Sequence, residues 1–263
     1  MRVVIQENYA NMCRWAARHI AGRINAHAGK RPFVLGLPTG SSPLGVYSEL
    51  IRMNRAGEVS FANVVTFNMD ESLGLPRAHE QSYWRFMHDN FFDHLKDMKP
   101  ENVNILDGMA EDPEAECARY EAKIAACGGV DLFLGGIGVD GHLAFNEPFT
   151  SLTSRTGVRD LTTDTLIVNS RFFGNDPEKV PARALSVGVG TVMDSREVLI
   201  LINGHNKARA LAAVVEGGVS QKWTCSALQL HKNAIIACDE PACGELTVDT
   251  YKYFLDIEKK ERL

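Results

Sequence analysis

Long apolar runs are missing from this chain. The N-terminal Met1-Arg2-Val3-Val4-Ile5-Gln6-Glu7 has an apolar stretch too short for a signal-peptide core, and no later segment reaches the length that crosses a bilayer. The expectation is a soluble, cytoplasmic protein without a membrane partner. An excess of one charge is missing as well: 28 Lys and Arg stand against 33 Asp and Glu, a formal net charge of −5. A whole-molecule field of that size does not draw in nucleic acid, so any anion must be held locally. The six cysteines, at positions 13, 117, 127, 225, 238 and 243, lack the Cys-x-x-Cys spacing of a structural zinc site or redox motif. They read as reduced thiols, with a redox role left open for the neighbours Cys238 and Cys243, and no metal is implied. Internal repeats, low-complexity tracts and Pro/Gly/Ser-rich linkers are also missing. Residues 1–263 therefore read as one domain, long enough to bury a substantial core.

What the chain does have is alternation. Short β-rich apolar runs (Phe33–Leu37, Val64–Phe67, Val130–Leu134, Val198–Ile202 and Ala234–Ala237) are separated by segments of helical period. The helices are predicted over Asn8–His27, Leu44–Ala56, Ser82–His94, Pro113–Ala126, Lys207–Glu216 and Glu240–Leu255, with Pro148–Asp194 the least regular stretch. Continuous apolar strands alternating with helices predict an α/β fold: an open, mostly parallel, Rossmann-like sheet with helices on both faces. In such folds ligands bind beyond the carboxyl ends of the strands, which directs attention to the residues there.

After the first run comes Pro38-Thr39-Gly40-Ser41-Ser42-Pro43, small hydroxyl residues with a Gly and a Pro at a helix start. Its backbone N–H groups and helix N-terminus suit an anion, although an ordinary N-cap by Ser41 or Ser42 explains the segment equally well. It is no Walker loop, because the Gly-Lys-Ser/Thr ending is absent. The second run ends in Asn68-Met69-Asp70-Glu71. Adjacent carboxylates cannot share one face of an extended strand, and Asp70, first past the apolar run, is the better candidate for a site above the sheet. The third end runs from Gly135 to Pro148. Gly136, Gly138 and Gly141 form a literal G-x-G-x-x-G, but Pro148 follows too soon for the helix a dinucleotide site needs, and Asp140 would sit where a pyrophosphate should lie. Asp140 and His142, two apart on an extended segment, project to one side, and Glu147 can return beneath them after a turn at Pro148. A carboxylate-held imidazole has a fixed tautomer and enough basicity for work near neutral pH. Two cations complete the set: Arg171, and Lys207 at a helix start, where the macrodipole disfavours a cation unless an anionic ligand is bound.

Gly36–Pro43, Phe67–Glu71, Gly138–Pro148, Asn169–Phe173 and Cys238–Pro241 together resemble glucosamine-6-phosphate deaminase, nearly end to end. The related 6-phosphogluconolactonases share the Asp-Gly-His core but not the Ala-Phe-Asn-Glu-Pro continuation. The resemblance implies conversion of an amino-sugar phosphate, glucosamine 6-phosphate, with water to fructose 6-phosphate and ammonia, without metal or organic cofactor. It implies that Asp70 moves a proton between C2 and C1 and that His142, oriented by Asp140 and Glu147, opens the pyranose ring. Thr39, Gly40, Ser41 and Ser42, with Arg171 and Lys207, would hold the phosphate. It also implies a homo-oligomer, a hexamer, with an allosteric site for N-acetylglucosamine 6-phosphate to which Met1, Ser151, Arg159 and Tyr253 correspond. Gly157 stands where regulated members carry an Arg. The rival expectations are a sugar-phosphate lactonase, which has no need of a C–H base, and a non-catalytic sugar-phosphate sensor, which would lack the acid–base residues.

Overall fold

The computed structural model describes residues 1–27, 29 and 31–263. In chain order the elements are β1 (Arg2–Gln6), α1 (Tyr9–Ala26), β2 (Phe33–Leu37), α2 (Leu44–Arg55), β3 (Val64–Asn68), β4 (Asp70–Ser72), α3 (Tyr83–Asn90), β5 (Val103–Asn104), α4 (Pro113–Ala126) and β6 (Leu132–Gly136). There follow β7 (Gly157–Asp160), α5 (Thr163–Ser170), β8 (Arg183–Ser186), α6 (Val189–Met193), β9 (Glu197–Ile202), α7 (Ala208–Glu216), β10 (Ala234–Asp239) and α8 (Val248–Ile257). Seven strands form one parallel sheet in the order β1-β10-β9-β6-β2-β3-β5. A small antiparallel sheet, β4-β8-β7, lies beyond it. No described helix is long and apolar enough to cross a membrane.

The strand residues are mostly apolar because both faces of the large sheet are covered. In β9, Val198, Ile200 and Ile202 pack toward Tyr120 and Ile124 of α4 and Leu211 and Val214 of α7. Leu199 and Leu201 point the other way, toward Met12 and Trp15 of α1 and Tyr47 and Leu50 of α2. The period of two in the strands meets a period near 3.6 in the helices: α1 buries Met12, Trp15, Ala16, Ile20 and Ile24 in turn. Asn8 starts α1 by accepting the Asn11 N–H, and Asp112 does the same for α4 with Ala115.

The strand order fixes where the site lies. From β2 the chain builds outward through β3 to β5, then crosses back to place β6 on the opposite side of β2, followed by β9 and β10. The loops leaving β2 and β6 therefore depart in opposite directions from adjacent strands, which opens a crevice above their carboxyl ends. The predicted strands and most predicted helices are present. Three readings change. Arg2–Gln6 is an edge strand. The segment from Pro148 to Asp194, expected to be irregular, contains β7, α5, β8 and α6. The helix predicted over Glu240–Leu255 is interrupted: Asp239 caps a short 3-10 turn over Glu240–Cys243, and α8 starts afresh with Thr247 as its cap.

At the crevice the β2–β6 contact is close, because Gly36 pairs with Phe133 and a Cβ at 36 would stand 2.2 Å from the Phe133 ring. Gly36→Ala is expected to destabilise the protein by about 1–3 kcal/mol through overpacking. Gly135→Ala should cost less, since its Cβ would meet the tip of Ile200 at 2.8 Å and otherwise Met69 at ordinary contact distance. Urea midpoints of the two variants check the order.

Candidate active site

The loop after β2 turns at Gly40, whose φ of +91° is a conformation that a Cβ would strain. Pro43 takes the N-cap position of α2 with no side-chain cap, so neither Ser41 nor Ser42 serves as the ordinary cap. Ser42 Oγ instead donates to Asn203 Oδ1 at 2.7 Å, and Ser41 is exposed. The Gly45 N–H is taken by the Tyr9 hydroxyl at 2.9 Å. Among the described residues no acceptor meets the N–H groups of Gly40, Ser41 and Ser42. Three donors left free on one loop can cradle an anion.

Asp70 lies where the chain leaves the parallel sheet. Met69 makes the bend, its N–H donating to Leu37 O and its carbonyl accepting from Val187, and Asp70 begins β4 opposite Ser186. The two adjacent carboxylates part company there. Glu71 accepts the N–H groups of Ser72, Tyr83 and Trp84 at 2.8–2.9 Å and so pins the start of α3. Asp70 is buried, and among the described residues nothing donates to its carboxylate. Burial pushes its pKa up to about 7, the nearby Glu71 adding to the effect and His142 opposing it.

His142 reaches the same crevice by a different route from the one expected. Residues 138–142 are not extended. The His142 carbonyl accepts from Gly138 and the Gly138 carbonyl from Gly141, which has φ of +76°, so a tight turn brings Asp140 back onto His142. Glu147 returns through the turn Leu143–Asn146, with Ala144 left-handed at φ of +53°, and not through Pro148. His142 Nδ1 sits 2.8 Å from Asp140 Oδ1 and 3.4 Å from Glu147 Oε2. Neither contact is an in-line hydrogen bond, so the imidazole is held chiefly as a charge between two carboxylates. Burial works against the imidazolium, but Asp140 and then Glu147 outweigh it and raise the pKa to about 9. Burial alone would raise Asp140, yet its contact with His142 brings it down to about 2. Glu147 Oε1 accepts from Thr165 Oγ1 at 2.6 Å and, more weakly, from Thr162 at the start of α5. These threonines carry no motif and were not legible as partners of the site.

Asp140, His142 and Glu147 each offer a ligand atom within 4.8 Å of the others, the spread of a possible metal site. The 2.8 Å separation of Nδ1 and Oδ1 is a direct contact, however, whereas donors around a tetrahedral zinc stand about 3.3 Å apart. The two atoms stand closer together than separate ligands of one such ion.

The cations come from opposite sides. Lys207, the N-cap residue of α7, extends Nζ to the Ile137 carbonyl at 2.7 Å, at the end of β6. Burial lowers its pKa to about 8, with Asp140 opposing and Arg171 assisting. Arg171 follows α5, exposed, its guanidinium 4.6 Å from the Phe172 ring centre. Thr39, Gly40, Tyr83 and Arg171 line one cavity of about 190 Å³. Asp70, Asp140, His142, Glu147 and Lys207 are not among its walls; they gather beside it around the end of β6, and Tyr83, which feels the Asp70 charge, joins the two groups. The four positions matched to an effector site are not hydrogen-bonded to one another among the described residues. Arg159 lies on β7 and donates to Asn146 Oδ1 and to the carbonyls of Val158 and Arg155. Ser151 is exposed and contacts Thr153, Tyr253 is exposed on α8, and Met1 packs against the core beside β1.

The His142 pKa gives a direct test. With the folded value near 9 and the ordinary value 6.5, the pair's contribution to stability is complete below pH 6.5 and is lost as pH rises through 9. An NMR titration of the imidazole is expected to show a midpoint near pH 9. In Asp140→Asn burial is opposed by Glu147 alone, and the midpoint should fall by at least about one unit, the scale of a lost charged neighbour.

The sequence profile of the family described as glucosamine-6-phosphate isomerases/6-phosphogluconolactonase matches residues 7–237. A glucosamine-6-phosphate deaminase of Parabacteroides distasonis is 63% identical over 261 residues, covering 98% of this chain and 96% of the relative. That of Phocaeicola vulgatus is 62% identical over 98% of this chain and 99% of its own length. Among solved structures, a monomeric glucosamine-6-phosphate deaminase superposes with a TM-score of 0.89 at 40% identity, covering 92% of this chain and 99% of that one. The 6-phosphogluconolactonase of Trypanosoma cruzi, with a TM-score of 0.74 at 19% identity over 94% of this chain and 97% of its own, shares the fold alone. With the profile spanning most of its length and relatives above 60% identity along nearly all of it, this chain belongs to the glucosamine-6-phosphate isomerase/6-phosphogluconolactonase family.

Proposed function

We propose that the chain converts glucosamine 6-phosphate and water to fructose 6-phosphate and ammonia, with Asp70 as the base that moves the carbon-bound proton. The observation that carries this reading is the Asp70 carboxylate: buried, without a donor, and raised to about 7 at the crevice between β2 and β6. Removing a weakly acidic C–H needs a carboxylate more basic than one in water, and loss of solvation supplies that basicity. A lactonase has no carbon-bound proton to remove. The names and high identity of the curated relatives support the same substrate.

The other groups follow from the charges. His142, raised to about 9, is an imidazolium at neutral pH, so it donates a proton to the ring oxygen as the pyranose opens. It takes the O1 hydroxyl proton in exchange, and gives that proton back to O1 when Asp70 draws the proton from C2. In the open chain Asp70 takes the C2 proton and returns it to C1; the C2 imine so formed adds water and releases ammonia. The phosphate does not react. Bound by the N–H groups of Gly40, Ser41 and Ser42, by Thr39 and by Arg171 and Lys207, it holds C1 and C2 against Asp70.

The hexamer implied by resemblance finds no support in the relative of 40% identity, which is described as monomeric. Regulation by N-acetylglucosamine 6-phosphate would draw on Met1, Ser151, Arg159 and Tyr253, but the Arg159 guanidinium is already directed to its own chain and Gly157 supplies no second cation.

pH profiles, turnover and melting temperatures test these assignments. The profile of kcat/KM against pH is expected to rise through an apparent pKa near 7 as Asp70 ionises, and to fall above pH 8–9 as Lys207 and His142 lose their protons. Asp70→Asn should lose at least about a hundredfold in turnover measured as ammonia release, the usual scale of a positioned base. Because the folded Asp70 binds its proton more tightly than the unfolded chain does, it subtracts stability as pH rises from 4 through 7. Asp70→Asn should therefore melt higher than the parent at pH 8 but not at pH 4. Lactone hydrolysis without ammonia release would overturn the reading.

Substrate saturation with and without N-acetylglucosamine 6-phosphate tests regulation. Weak or absent activation is expected. A Cβ at 157 would stand 2.9 Å from Arg159 Nη1, the movable end of a side chain, so Gly157→Arg should be accommodated by displacing that guanidinium outward and should strengthen any response.

A further inference from the structure

Asp239 is a buried carboxylate at the end of β10 that no step above uses, and among the described residues no cation pairs with it. Its Oδ1 accepts two backbone N–H groups, from Gly204 at 2.9 Å and from Ala242 at 3.1 Å. The second bond caps the 3-10 turn after β10, a local matter. The first crosses to the neighbouring strand and holds the turn that follows β9. That turn is tight: Gly204 has φ of +86° and its carbonyl accepts the Lys207 N–H at 3.1 Å. Two of its side chains reach toward the loop after β2 and the end of β6. On one side of Gly204, Asn203 Oδ1 accepts Ser42 Oγ at 2.7 Å; on the other, Lys207 Nζ reaches the Ile137 carbonyl at 2.7 Å. The peptide between Asn203 and Gly204 is the one whose orientation Asp239 sets.

We propose that Asp239 is a positioning residue for the phosphate site, acting through the Gly204 N–H to hold Asn203 against Ser42 and Lys207 above the end of β6. A carboxylate is suited to the task, since a charged acceptor binds an N–H about twice as strongly as a neutral one and fixes the peptide more firmly. This inference deepens the functional reading, because it takes the Thr39–Ser42 loop to be where the phosphate sits.

The experiment compares Asp239→Ala, Asp239→Asn and Asn203→Ala with the parent in three readouts: KM and kcat for glucosamine 6-phosphate, the inhibition constant of inorganic phosphate, and the melting temperature. In Asp239→Ala, KM and the phosphate inhibition constant should rise together by about tenfold, the worth of one charge-assisted hydrogen bond at its lower limit, while kcat falls less than about threefold. Asp239→Asn keeps an acceptor for Gly204 and should recover most of the loss. Asn203→Ala, which leaves the buried carboxylate in place, should show the same pattern to a lesser degree and remains informative if Asp239→Ala does not fold. A fall in kcat and melting temperature with the phosphate constant unchanged in both Asp239→Ala and Asn203→Ala would overturn the proposal and leave Asp239 a merely structural residue. The underlying reading fails separately: if phosphate does not compete with substrate in the parent, or Arg171→Ala leaves KM unchanged, the loop is not the phosphate site and the proposal falls with it.

Discussion

A parallel sheet sends every strand's carboxyl end to the same side, and the whole site depends on the single place where the strand order reverses. Between β2 and β6 the connections leave in opposite directions, so the sheet cannot be roofed there by its own loops. The cradle after β2, the turn after β6 and the bend after β3 all open into this gap, and β9 contributes Lys207 from the next strand along. Both faces of the sheet are closed by helices and packed with aliphatic and aromatic side chains. The crevice is the place where polar groups can collect without disturbing that packing.

Within the crevice, environment decides what each carboxylate does. Three of its acids meet three different environments. Glu71 receives three backbone N–H groups and serves as a clasp for α3. Asp140, against an imidazolium, is held near 2 and stays charged. Asp70 receives nothing, loses solvation and rises to about 7. Raising one group while lowering its neighbour is how a site obtains a base and an acid from ordinary residues at neutral pH. His142 completes the division, because the charges that lower Asp140 and Glu147 are the ones that keep its proton on.

Support for these groups comes from farther away. Thr162 and Thr165, at the start of the helix that ends beside Arg171, fix one oxygen of Glu147 and leave the other for His142. Asn203 orients Ser42 in a similar way. Both arrangements tie a reacting or binding residue to a segment outside its own motif, 15–18 residues away for Glu147 and 161 for Ser42, so that the geometry belongs to the folded chain.

The sequence by itself determined the parallel α/β architecture, because continuous apolar runs separated by amphipathic helices have few other ways to bury their surface. It also marked Asp70, Asp140, His142 and Glu147, whose types and positions past strand ends stand out from the apolar pattern, and its motifs pointed to the family. Tertiary structure decided the rest. Whether Asp70 or Glu71 faces the crevice was legible as an alternation, but that Asp70 is left without a donor follows from α3 arriving to occupy Glu71. The irregular stretch from Pro148 to Asp194 could not be read because β7 and β8 exist only by pairing with each other and with β4, more than eighty residues upstream. The turns at Gly138–Gly141 and Leu143–Asn146 replaced an extended segment for a related reason: strand geometry needs a ladder partner, and beyond β6 the sheet has none to offer. Local propensity reports what a segment can do alone, whereas a pKa, a short edge strand or a shared hydrogen bond depends on which distant segment comes to lie beside it.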